Sequence, residues 1–157
     1  MEPASQLDRE QVAALLGRAP QGEFEVVVRD RAGLPVVLRN APLLADGTPM
    51  PTRYWLVGAA EVVAVSRLEA SGGVRQAEAA IDSAAIADAH RRYAVERDEA
   101  LLAMAPAHTG PRPSGGVGGT RVGVKCLHAH YGWFLAGGDD PVGAWVAAQL
   151  EHGADAR

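Results

Sequence analysis

Phe24-Glu-Val-Val-Val-Arg-Asp30, followed after Arg31, Ala32 and Gly33 by Leu34-Pro-Val-Val-Leu-Arg39, sets the architecture of this chain. β-Branched residues dominate both runs and a glycine stands between them, so the stretch reads as strand, turn, strand. Arg53 to Val57, with Tyr54 and Trp55 inside it, reads as a third strand. A small antiparallel sheet is expected. Between the second and third strands, Asn40 to Thr52 carries three prolines and the pair Asp46-Gly47, turn chemistry that predicts a well-defined loop.

Helical patterns surround these strands. Asp8 is placed to cap a first helix in which Val12, Leu15 and Leu16 share a face and Gly17 is the stop. Ala59 to Ala70 has Val62, Val65 and Leu68 at helical spacing, with Gly72-Gly73 as its exit. Ser83 is placed to cap a longer helix reaching Met104, along which Ile86, His90, Tyr93, Arg97 and Leu101 form one stripe. Thr120 to Ala136 reads as a helix stopped by Gly137-Gly138, and Asp140-Pro141 opens a last one, aspartate as cap and proline at the first helical position. The expected class is α+β, a three-stranded sheet covered by about five helices, in one domain over residues 1–157 with a frayed tail at 153–157. Residues 106–119 hold three prolines and five glycines, too many for the interior of an element, and form a loop of a length that is commonly functional.

At 157 residues and 48% hydrophobic, the chain suffices for one core but not two. The net charge of −4 argues against general nucleic-acid binding, which needs a strongly basic surface. One cysteine forms no internal disulfide, the amino terminus lacks the pattern of a secretory signal, and no apolar run is long enough to span a membrane. A cytoplasmic location is the expectation.

Lys125 is the only lysine, and it adjoins the only cysteine in Gly123-Val-Lys-Cys-Leu-His-Ala-His130. The other basic residues are arginines, so charge alone does not explain a lysine here; an ammonium loses its proton when desolvated and contacts single oxygens, as a guanidinium does not. Codon bias toward arginine accounts for the same scarcity. On a strand, Cys126, His128 and His130 would share a face and offer zinc three ligands. On a helix His128 lies about 160° from His130. The helix is preferred, because Val124, Leu127, Tyr131 and Phe134 make a continuous apolar stripe, and the three-ligand zinc site is set aside.

Two sub-sites follow on that helix. Arg121, Lys125 and His128 would align near its amino end, directly after Gly115, Gly116, Gly118 and Gly119, where the helix dipole and loop amides favour an anion. His90, Tyr93 and Arg97 would form the opposite wall. The glycine spacing is not that of a nucleotide P-loop. Cys126 and His130, at i and i+4, would pair a nucleophilic thiol with its proton acceptor, or act as metal ligands completed by His90 and His108. The structural alternatives are a tight turn beside a solvated basic face, a hydrogen-bonded seam along the long helix, and a core cysteine.

Tyr54-Trp-Leu56, Ser66-Arg-Leu-Glu69 with Gly72-Gly-Val74, the block Gly123 to Tyr131, and Asp140-Pro-Val-Gly143 resemble the bacterial family known as domain of unknown function 501, over about Val36 to Val146. The resemblance implies a small cytosolic bacterial protein, often encoded in actinobacteria beside enolase, a septum-formation protein and an exopolyphosphatase, with no established activity. Asparagine is usual in that family where Asp140 stands here; both residues cap helices.

The leading expectation is a small enzyme or ligand-binding protein acting on a phosphate- or carboxylate-bearing molecule, with no obligatory cofactor. One alternative is a non-catalytic interaction module linked to cell division or polyphosphate metabolism, with Tyr54, Trp55, Trp133 or Trp145 as anchors for a protein partner or a second copy. Another is a structural zinc-binding protein.

Overall fold

Asp30 makes the first hairpin. Its Oδ1 accepts the N–H groups of Ala32 and Leu34, each at 2.9 Å, and Gly33 takes φ +84°, a left-handed turn that an L side chain resists. The computed structural model, which describes residues 2–155, places β1 (Phe24–Arg29) before this turn and β2 (Pro35–Asn40) after it. β3 (Tyr54–Leu56) pairs along the other side of β2, so the sheet is antiparallel in the order β1-β2-β3, as expected. The central strand is buried on both faces: Leu38 packs with Val12, Phe24 and Val57 against α1 (Gln6–Leu16), and Val37 packs with Tyr54, Tyr93 and Trp133.

Five more helices follow: α2 (Ala59–Ala70), α3 (Gly73–Ala80), α4 (Ser83–Met104), α5 (Leu127–Leu135) and α6 (Pro141–Asp155). Each contributes to a second core of Val65, Ala77, Ile86, Leu127, Val142 and Val146. α3 has no counterpart in the sequence reading. Gly72, at φ +90°, ends α2 as expected, but Gly73 starts a new helix, where an added Cβ would sit 2.6 Å from the Leu68 carbonyl oxygen and 2.9 Å from Leu127 Cδ1.

Two caps differ from expectation. Ser5 caps α1: its Oγ accepts the Asp8 N–H at 3.0 Å while the Asp8 carboxylate accepts the Ser5 N–H at 3.1 Å, a reciprocal capping box. That frees Asp8 to grip Arg29 of β1 through both oxygens, at 2.8 and 3.0 Å, and the guanidinium holds its carboxyl down at about 2. At α4, Asp82 rather than Ser83 is the cap, accepting from the Ala84 N–H.

The largest correction falls on the segment that carries the chemistry. The helix expected from Thr120 begins only at Leu127. Gly123 adopts φ +67°, which interrupts any helix there, and the Thr120 hydroxyl donates to the Val122 carbonyl at 3.0 Å instead of capping. Residues 120–125 are therefore a loop, held by His90 Nε2 at 2.7 Å from the Gly123 carbonyl and by the Val124 N–H donating to Glu78 at 3.4 Å. α6 continues to Asp155, and the end of the expected frayed tail lies outside the described residues. Among the described residues no helix is long and apolar enough to cross a membrane.

Candidate functional site

Because α5 starts at Leu127, Cys126 is its N-cap, in extended backbone, and its Sγ accepts the Ala129 N–H at 3.3 Å. Glu69, in the last turn of α2, reaches the same helix start: its Oε2 accepts the Leu127 N–H at 2.7 Å and lies 3.3 Å from His128 Nδ1. The positive end of α5 thus already holds a carboxylate. On the other side of the imidazole, His128 Nε2 is 3.0 Å from Ser66 Oγ. Thiol, imidazole and carboxylate donor atoms of Cys126, His128 and Glu69 lie within 4.8 Å of one another, all half-buried. The Cys126 sulfur, and after it the Glu69 charge, pushes the His128 pKa above its ordinary value against the opposing effect of burial.

His130 is not the partner of the thiol. It is wholly buried, and its Nδ1 donates to Asp140 Oδ2 at 2.7 Å, while Asp140 Oδ1 accepts the Val142 N–H at 3.0 Å and caps α6. The pair ties α5 to α6. The i, i+4 pairing of Cys126 with His130 presupposed a helix that includes both residues, and the N-cap position of Cys126 removes it.

The long-helix stripe is buried at all five positions, Ile86, His90, Tyr93, Arg97 and Leu101. Its polar members brace backbone. Tyr93 Oη accepts the N–H groups of Arg53 and Tyr54, and Arg97 donates to the carbonyls of Pro51 at 3.2 Å and Gly115 at 2.9 Å. His90 Nδ1 accepts the Val117 N–H at 3.1 Å, so the proton it donates to Gly123 is on Nε2; desolvation lowers its pKa and favours this neutral form.

The glycine-rich loop does not form one cradle. The Gly116 N–H donates to the Thr120 carbonyl and the Gly119 N–H to the Gly116 carbonyl, around a short 3₁₀ turn at Val117–Gly119. The residues expected to surround a single anion divide between two cavities instead. One, of about 460 Å³, is lined by His90, Arg97, Gly115, Gly116 and Arg121, together with Arg91 and Asp98. The other, of about 260 Å³, is lined by Gly118, Lys125, Cys126 and His128, with Tyr54, Trp55 and Leu56 among its walls. Tyr93 and Gly119 line neither. Lys125 is exposed, its Nζ 3.3 Å from the Gly118 carbonyl. None of the four aromatic residues expected as anchors is exposed: Tyr54 and Trp133 are buried, Trp55 and Trp145 partly so.

Glu69 and Ser66, quoted above only within a block of the family resemblance, are the site residues to which sequence reasoning gave no role. A signal was present, since an acidic side chain in the last turn opposes the helix dipole unless a partner compensates it. Two of the blocks that carry the family resemblance, Ser66 to Glu69 and Gly123 to Tyr131, meet at this cluster. Residues 26–148 match the model of a family described as protein of unknown function (DUF501). No curated protein and no solved structure matches the chain.

Proposed function

We propose, for this chain, which belongs to the DUF501 family of proteins of unknown function, that the cleft at the start of α5 binds a small molecule bearing a carboxylate or phosphate. One observation carries the reading: the ammonium of the only lysine lines the same 260 Å³ hollow as the only thiol and a half-buried imidazole, against a wall that includes Leu16, Trp55 and Leu56. An apolar hollow with a few polar groups gathered at one side is the usual form of a small-ligand site. The ammonium spends one donor on Gly118 and has others for an anionic oxygen.

The larger cavity is less suited to an anion despite its arginines. Arg97 is committed to loop carbonyls, Arg91 is paired with Asp88, and Asp98 adds a negative charge to the lining. A thermal-shift panel of inorganic phosphate, sugar phosphates and small carboxylates tests the assignment. Stabilisation by at least one of them is expected with the wild type and with Arg121→Ala, and is lost with Lys125→Ala. Loss with Arg121→Ala alone would move the ligand to the arginine-lined cavity and sink the proposal.

A further inference from the structure

We infer that Glu69, Cys126 and His128 together bind a zinc ion, with a coordination position left open toward the cleft. Thiolate, imidazole and carboxylate are the three side-chain ligand types of protein zinc sites, and three protein ligands with a free fourth position is the arrangement of catalytic rather than structural zinc. The mixed sulfur, nitrogen and oxygen set suits a borderline ion better than magnesium or calcium, which take oxygen alone.

Donors at about 2.0–2.3 Å from a tetrahedral ion stand roughly 3.5 Å apart. The three donor atoms already lie within 4.8 Å of one another, so closing on an ion asks for side-chain movement of about 1 Å and none of the backbone. Cys126 and His128 both line the 260 Å³ cleft, which gives the ion an entry path and its open position a place to face. Side-chain exposure of 25% for His128 and 26% for Glu69 leaves the donors reachable from solvent.

The outer contacts carry the inference furthest. Metal-bound groups are oriented by hydrogen bonds behind them, and each of these donors has one. Ser66 Oγ holds His128 Nε2 at 3.0 Å, which leaves Nδ1, the nitrogen beside Glu69, as the ligand atom. The Leu127 N–H holds Glu69 Oε2, the oxygen 3.3 Å from His128 Nδ1, at 2.7 Å, and the Ala129 N–H points at the Cys126 sulfur at 3.3 Å, where it would stabilise a thiolate. On binding, the thiol gives up its proton, any proton on His128 Nδ1 is lost to solvent, and no redox change occurs. This set differs from the expected Cys126 and His130 pair, because the donor atoms that converge with the thiol are those of His128 and Glu69.

The inference concerns the cleft of the preceding proposal but stands on the donor set, not on Lys125. The test is titration of chelator-treated full-length protein with cobalt(II) as a spectroscopic probe, then competition by zinc against a chromophoric chelator. One equivalent per chain is expected, with thiolate-to-cobalt charge-transfer absorption that zinc abolishes. Cys126→Ser loses that band; serine is itself a good N-cap, so the start of α5 is kept. Glu69→Gln and His128→Asn weaken zinc binding by about tenfold or more, and His108→Asn, at a half-buried histidine whose ring bonds Pro111, leaves it unchanged. Lys125→Ala removes the anion-induced thermal shift while retaining the cobalt band. No charge-transfer band in the wild type, or full zinc affinity in Cys126→Ser, would overturn the metal assignment without touching the anion reading.

Discussion

Gly116→Ala tests what the glycine-rich loop is for. A Cβ at this position would stand 2.5 Å from His90 Cβ, 2.6 Å from His90 Nδ1 and 2.7 Å from His90 Cα. Two of these atoms are fixed by the α4 backbone, so no rotamer change relieves the overlap and the loop must move away. Overpacking of this kind costs about 1–3 kcal/mol. The movement also breaks the buried bond from the Val117 N–H to His90 Nδ1, adding on the order of 1 kcal/mol. Together they predict about 3 kcal/mol of destabilisation, or a fall of roughly 6–12 °C in Tm for a chain of this size. Urea unfolding followed by circular dichroism, with differential scanning fluorimetry, measures both. Gly119→Ala is the comparison, because its Cβ meets nothing within 4 Å and the cost there is the φ of +83° alone, about 1 kcal/mol. If Gly116→Ala were as stable as wild type, the loop would not be braced on α4, and a ligand-binding role for its glycines would return.

Acid should act through Asp8. Its carboxyl is held at about 2 in the folded chain against 3.8 ordinarily, so the unfolded state binds more protons between those values; the pair's stabilisation is complete above about 3.8 and is lost as pH falls through about 2. With Arg29 partly exposed the effect is about 1 kcal/mol, and Asp8→Asn should flatten the fall of the urea midpoint over that range; equal slopes would refute the pairing. Asp140→Ala strips the α6 cap and leaves His130 buried without its acceptor, a loss of about 3 kcal/mol or more, whereas Asp140→Asn keeps the capping oxygen and should cost clearly less. Equal urea midpoints for the two variants would mean that the capping oxygen contributes nothing.

Local chemistry explains what was legible in the residues themselves. The hairpin follows from β-branched runs around Asp30 and Gly33, whose turn bonds span four residues at most. The α4 stripe, the Asp140 cap and the three-stranded sheet were legible for the same reason: a repeat of 3.6, a repeat of two, or a capping oxygen acts between near neighbours. The family resemblance also rests on short contiguous blocks, and the match over residues 26–148 bears it out.

The site was a different matter. A helix from Thr120 satisfied every local signal, yet Gly123 turns left-handed where His90, 33 residues away, takes its carbonyl and Glu78 takes the next N–H. That loop moved the helix start to Cys126, which in turn exchanged His130 for His128 as the imidazole beside the thiol. Glu69 caps Leu127 across 58 residues of chain, and no periodicity records such a contact. The amino-acid order determined the sheet, its turns and the helical faces, because those interactions are short in sequence. Which side chains stand together at the start of α5 was decided only by folding, because backbone donors freed at a helix end are satisfied by whichever distant carboxylate or ring the packed core brings within reach.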